Sequence, residues 1–137
     1  MLIIYNLTQT DFSKKHADQL HQKLFSHFKI KPQHVLELIL VNRKIIKKIN
    51  REYLDRDEET DVLSFPIDHS HIKDNMQHAI FGSIYLCPEY IKQQDEKCKN
   101  YKSHIVHGCI HLLGYDHYSE AEQKKWSRIL QKINNLL

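Results

Sequence analysis

The amino-acid sequence predicts an α+β domain, with a mixed and mostly parallel β-sheet of about four strands packed with about five helices. Three observations carry that reading. Short runs rich in valine, isoleucine and leucine alternate with longer segments whose apolar residues recur at helical spacing. Pro32, Pro66 and Pro88 each fall where an element should stop or start. No internal repeat, low-complexity run or linker interrupts the 137 residues, so residues 1–137 are read as one domain.

Leu2 to Asn6 reads as a first strand, since Met1 to Tyr5 is too short for a signal peptide and lacks the basic flank. Thr10 and Asp11 are N-cap residues for a helix reaching about Phe28, with Phe12, Leu20, Leu24, Phe25 and Phe28 on its apolar stripe. Lys31-Pro32 breaks that helix. Val35 to Val41 is a strand, and Asn42 caps a basic helix carrying Ile45, Ile46 and Ile49. Residues 54–60 form a charged loop, and Asp61 to Ile67 a strand ended by Pro66. The polar stretch 68–78 is read as an exposed loop, the usual place for unligated histidines such as His69, His71 and His78. Ala79 to Leu86 is a further strand. Pro88 opens a helix to about Lys99, and a largely apolar helix follows from about Tyr101. Ser119-Glu120-Ala121-Glu122 is a capping box for a last helix with Trp126, Ile129, Leu130 and Ile133 as its core stripe.

No run of 18 apolar residues occurs, which argues against a membrane-spanning helix. Cys87, Cys98 and Cys109 are odd in number and form no C-x2-C pair. That favours a reducing cytoplasm over a disulfide framework or a thiolate metal site. The net charge is +3, with a local excess at Arg43, Lys44, Lys47, Lys48, Arg51 and Arg56 and another at Lys124, Lys125, Arg128 and Lys132. A basic stripe is more often the solvated face of a helix than a phosphate-binding surface, and charge alone does not separate the two.

The most informative segment is His107 to His117, which places three histidines at H-x3-H-x5-H among the chain's eleven. Residues i and i+4 share one helix face, so His107 and His111 can reach one ion. Gly114 can end the helix in a left-handed turn and return the chain with His117. Three neutral imidazoles with one position left for water are the donor set of a catalytic zinc site. The spacing is that of metalloproteases, but the position of their glutamate base is Gly108, which cannot carry a proton. Asp116 either orients a ligand imidazole or is a turn residue beside Gly114. His104 shares the helix face of His107 and either supports a ligand, contacts substrate or, as is commoner, simply lines the groove, while Cys109 should point into the core. Ser64 and Thr60 either line that groove or are ordinary strand and loop residues.

The H-G-x-x-H-L-x-G-Y-D-H pattern of residues 107–117, together with Thr60-Asp61-Val62-Leu63-Ser64-Phe65-Pro66, resembles the YbeY endoribonuclease family of rRNA maturation factors. Asn50-Arg51-Glu52-Tyr53 precedes the second motif at the matching spacing, and Phe81-Gly82-Ser83-Ile84 is similar to the family's next strand. The resemblance implies a zincin-like fold, one zinc ion on His107, His111 and His117, and hydrolysis of small-subunit ribosomal RNA. It extends to small-subunit ribosomal proteins as candidate partners, in the cytoplasm and without a membrane. The family's arginine after the tyrosine of N-R-x-Y is Leu54 here, which leaves Arg51 or Arg56 to meet RNA phosphate, with Ser64 as a further substrate contact. The family's acidic residue after Gly82 is Ser83. Two other readings stand beside this one: a non-catalytic ribosome-assembly factor with a structural zinc, and a zincin-like metallopeptidase.

Overall fold

Alternate residues of one central strand face two separate apolar layers, and that division organises the molecule. The computed structural model describes residues 1–67, 80–97 and 101–136. Strands β1 (Leu2–Asn6), β2 (Val35–Leu40), β3 (Val62–Pro66) and β4 (Ile80–Leu86) form one sheet in the order β1-β2-β4-β3. β1 and β4 pair parallel with β2, while β3 runs antiparallel to β4 at the edge. Helices α1 (Lys14–His27), α2 (Arg43–Leu54), α3 (Pro88–Gln94), α4 (Lys102–Leu112) and α5 (Glu120–Leu136) complete the described elements. This is the expected α+β architecture with its mixed, mostly parallel sheet.

Leu36, Leu38 and Leu40 of β2, with Ile84 and Leu86 of β4, face the larger core, where α1, α4 and α5 bury Leu20, Leu24, Ile110, Trp126 and Ile133. Ile39, Leu63, Phe65 and Tyr85 face the other way, onto Ile46 and Ile49 of α2. The side-chain period of two along a strand enforces this split. Val35 pairs with Ile80 and Leu36 with Gly82, so Phe81 is an extra, bulged residue. It joins the larger core, edge-on to Phe25 at 5.7 Å.

Two element ends differ from expectation, each for a local reason. Helix α1 starts at Lys14 rather than near Thr10, with Ser13 Oγ accepting the His16 N–H at 3.3 Å. Asn6 ties the preceding residues into a turn, accepting from the Thr8 N–H and donating to the Thr10 carbonyl at 2.8 Å. Phe12 therefore precedes the helix and stacks on Tyr101 at 5.9 Å. α1 ends as expected, with Phe28 as its C-cap, and the chain turns before Lys31-Pro32. Lys29 adopts a left-handed φ of 55°, with Lys29 N–H bonded to Ser26 and Ile30 N–H to Phe25, a Schellman turn without glycine. α3 stops at Gln94, short of Lys99, because Asp95 is extended and its side chain accepts the Lys97 N–H. The loop with His69, His71 and His78 lies outside the described residues, as does Cys98. The expected caps at Asn42 and Ser119 form, accepting the Ile45 and Glu122 N–H groups.

Two glycines set the distance of α4 from the sheet. A Cβ on Gly108 would lie 2.8 Å from Ile84 Cδ1 and 3.0 Å from Ser64 Oγ. A Cβ on Gly82 would lie 2.5 Å from Leu112 Cδ2 and 3.1 Å from the Phe65 carbonyl. Ile84 is fully buried and has little room to withdraw. By helix propensity alone, Gly108→Ala would stabilise the protein by about 0.5–1 kcal/mol. Overpacking costs about 1–3 kcal/mol, so the steric term wins. The expected outcome is a lower urea midpoint for Gly108→Ala; a higher one would show that α4 rides further from the sheet.

Candidate metal centre

The core-facing side of α4 consists of Ile105, Val106, Cys109, Ile110 and Leu112, all buried. This leaves His107 and His111 half-buried on the flank, with ring centroids 4.7 Å apart and their Nε2 atoms 3.0 Å apart. The helix then ends as the sequence predicts. Gly114 takes φ 90°, its N–H bonds to His111 at 2.9 Å, and Tyr115 N–H reaches back to Ile110 at 3.4 Å. The reversal brings His117 in, so that one nitrogen from each of His107, His111 and His117 lies within 4.8 Å of the others.

The same turn sets the tautomer of His111. Its Nδ1 lies 3.2 Å from the Tyr115 carbonyl, which can only accept, so Nδ1 carries the proton and Nε2 presents a lone pair to the cluster. Asp116 Oδ1 is 3.7 Å from the same Nδ1, too long for a hydrogen bond but close enough to act through charge. It is therefore the backbone of Tyr115, rather than the Asp116 side chain, that holds the ring directly.

Burial pushes the His107 imidazole down to about 4, helped by the neighbouring His111 and His117 and opposed by Asp61. His111 is lowered by burial too, with Asp116 opposing. His107 and His111 are thus neutral near pH 7, the form that donates lone pairs to a cation. Three imidazole nitrogens gathered at one point fit a divalent transition metal such as zinc, for which imidazole is a suitable donor.

Two residues at the site carried no such role in the sequence reading. Asp61 precedes β3, its Oδ1 fixed by the Val62 N–H at 2.7 Å and its Oδ2 3.5 Å from His104 Nε2. His104 thus faces a carboxylate as well as the groove. Trp126, expected only as core, has its ring centroid 4.8, 4.7 and 4.9 Å from those of His107, His111 and His117. It is the only tryptophan and forms a buried wall behind all three imidazoles. Helical periodicity located it on the inner face, but only the docking of α5 could bring it to the site.

Of the remaining candidates, Ser64 lies under α4 beside Gly108, half-buried. Arg51 and Arg56 are exposed, on the last turn of α2 and the loop after it, and α2 packs on the sheet face opposite α4. The structure brings together His107, His111, His117 and Asp116, with Ser64 beneath the helix. It does not bring Arg51 or Arg56 into that cluster.

A family model described as Endoribonuclease YbeY matches residues 4–137. The Endoribonuclease YbeY of Mycoplasmopsis synoviae is 32% identical over 131 residues, spanning 92% of this chain and 84% of that protein. The Homo sapiens Endoribonuclease YbeY is 40% identical over 113 residues, spanning 74% and 65% respectively. The solution structure of a Thermotoga maritima protein matches with a TM-score of 0.53 and 25% identity, covering 97% of this chain and 89% of that one.

The buried histidines also make the metal-free fold acid-sensitive. His21, with Nε2 buried and unpartnered and its ring on Phe25 at 4.1 Å, is lowered by burial to about 4, as His107 is. In the unfolded chain both titrate near 6.5. The unfolded state thus binds more protons between these values, so stability is full above about pH 6.5 and falls as pH drops toward about 4. Urea unfolding in chelator should show a midpoint that decreases from about pH 7.5 to about pH 5. A flat profile would mean that the folded protein protonates these rings freely.

Proposed function

This chain belongs to the endoribonuclease YbeY family, and on that footing we propose that it hydrolyses phosphodiester bonds of small-subunit ribosomal RNA with one zinc ion held by His107, His111 and His117. The observation that supports this most is the convergence of three imidazole nitrogens beside a glycine where a protease would carry its base. A zinc ion bound there supplies Lewis acidity to a phosphoryl oxygen and makes hydroxide accessible near neutral pH. The chain's own residues do the rest. His107, His111 and His117 bind and orient the ion. The Tyr115 carbonyl keeps the proton on His111 Nδ1, and Asp116 steadies that imidazole through its charge. Trp126 shields the back of the ligand set from water. Ser64 is assigned to the groove, and Arg51 and Arg56 to substrate phosphate, as fork-shaped cations suited to it. The reading places the protein in the cytoplasm in ribosome maturation and quality control, with ribosomal proteins of the small subunit as partners.

A peptidase reading is disfavoured by the packing of α4, because Gly108 has no room for a glutamate against Ile84 and Ser64. Ribonuclease assays with metal-loaded and chelated protein test the proposal. Chelation and His111→Ala should each abolish cleavage while the fold persists by circular dichroism. Zinc binding without cleavage under any metal condition would favour an assembly factor instead. Titrating zinc into chelated protein should change Trp126 emission and saturate at one equivalent; in His111→Ala that response should weaken sharply. Asp116→Asn should lower metal affinity by about 10–100-fold, as loss of outer support does elsewhere. Unchanged affinity would reduce Asp116 to a turn residue.

A further inference from the structure

Among the described residues, the sheet face that carries α2 is only partly covered by it. Between this helix and strands β3 and β4 runs a groove of about 560 Å³, walled by Ile45, Ile49 and Tyr53 on one side and by Phe65 and Tyr85 on the other. Its aromatic rings form a row, Tyr53 meeting Phe65 at 5.6 Å and Phe65 meeting Tyr85 at 5.7 Å. Tyr53 closes that row while 70% exposed, so most of this large side chain is spent on solvent rather than on the core. Beside the groove, Ser83 Oγ donates to Glu37 Oε1 at 2.9 Å, and the carboxylate retains further acceptor capacity.

Charge identifies what fits there. Helix α2 carries Arg43, Lys44, Lys47, Lys48 and Arg51 against the single acid Glu52. Arg43 is engaged by Glu89 at 3.8 Å and by Gln93 of α3. Lys48 lines the groove itself, in a 4.0 Å pair with Glu52, and Lys44 and Arg51 lie one turn to either side of it. An aromatic floor under a row of cations matches a polyanion with flat apolar bases, the pattern by which single-stranded nucleic acid is held without sequence preference.

We infer that this groove is a binding subsite for unpaired RNA, with bases stacking against Tyr53, Phe65 and Tyr85 and phosphates meeting Lys44 and Lys48. The inference rests on the endoribonuclease reading and extends it to a part of the substrate distant from the cut bond. The two sites lie on opposite faces of the sheet but share its edge strand. In β3, Ser64 is beside Gly108 on the histidine side, and Phe65 is beside Tyr53 on the other. RNA held in the groove passes around that edge to reach the histidines.

The test compares metal-loaded parent, Tyr53→Ala, Tyr53→Trp and Lys48→Ala on a single-stranded RNA of about sixteen nucleotides and another of about four. Tyr53 is exposed, so its variants should melt with the parent. Tyr53→Ala should raise KM for the long RNA about tenfold or more with kcat unchanged, and leave the short RNA unaffected. Tyr53→Trp should retain the parent KM, and Lys48→Ala should weaken its dependence on salt. An unchanged KM for the long RNA, or an equal rise for both, overturns the inference. Binding of the long RNA to the same proteins, followed by fluorescence anisotropy, decides the groove even if the parent cleaves neither RNA. Failure of the cleavage reading is thereby separated from failure of this one.

Discussion

Gly108 lets α4 lie in van der Waals contact with Ile84 and Ser64, and the candidate site is built outward from that contact. With α4 seated, Ile105, Cys109 and Ile110 fill the core, and His107 and His111 are left on the helix flank beside α5. One extra carbon at position 108 would displace the helix. Protein interiors are packed too densely for neighbours to absorb such a shift freely, so the imidazoles would move with it. Gly82 performs the same service one turn of α4 further on, under Leu112. The site's geometry thus depends on two missing side chains as much as on the ligands present.

The electrostatics of the cluster follow from that seating. Half-burial keeps His104, His107 and His111 neutral, and two carboxylates temper the effect from opposite ends: Asp61 toward His104 and His107, and Asp116 toward His111. Neither carboxylate occupies the position after the first histidine, where a protease base would stand. The site can therefore hold a cation on neutral donors with negative charge nearby, rather than in direct contact. Trp126 adds a dry wall behind the rings, which strengthens every charge interaction in front of it.

The sheet separates two kinds of work. Its leucine-rich face supports α4 and the histidines, while the other face carries α2, with its basic stripe and a row of aromatic rings. β3 belongs to both, since adjacent residues of a strand point to opposite faces. It is also an edge strand of the sheet.

Local signals in the sequence determined a great deal. Helical spacing and Gly114 located the grouping of His107, His111 and His117, because these depend on residues within two turns of one another. Asn42 and Ser119 marked helix starts by the same short-range chemistry. Where local signals competed, the sequence was a poorer guide: Asn6 captured residues 8–10 in a turn and delayed α1, and Asp95 stopped α3 short of Lys99. Only tertiary structure decided that Asp61 meets His104, that Trp126 backs all three imidazoles, and that Gly108 is required by packing as well as being unable to act as a base. These are contacts between elements far apart in the chain. Periodicity says which face of a helix is inward, but not which distant residue it will meet there.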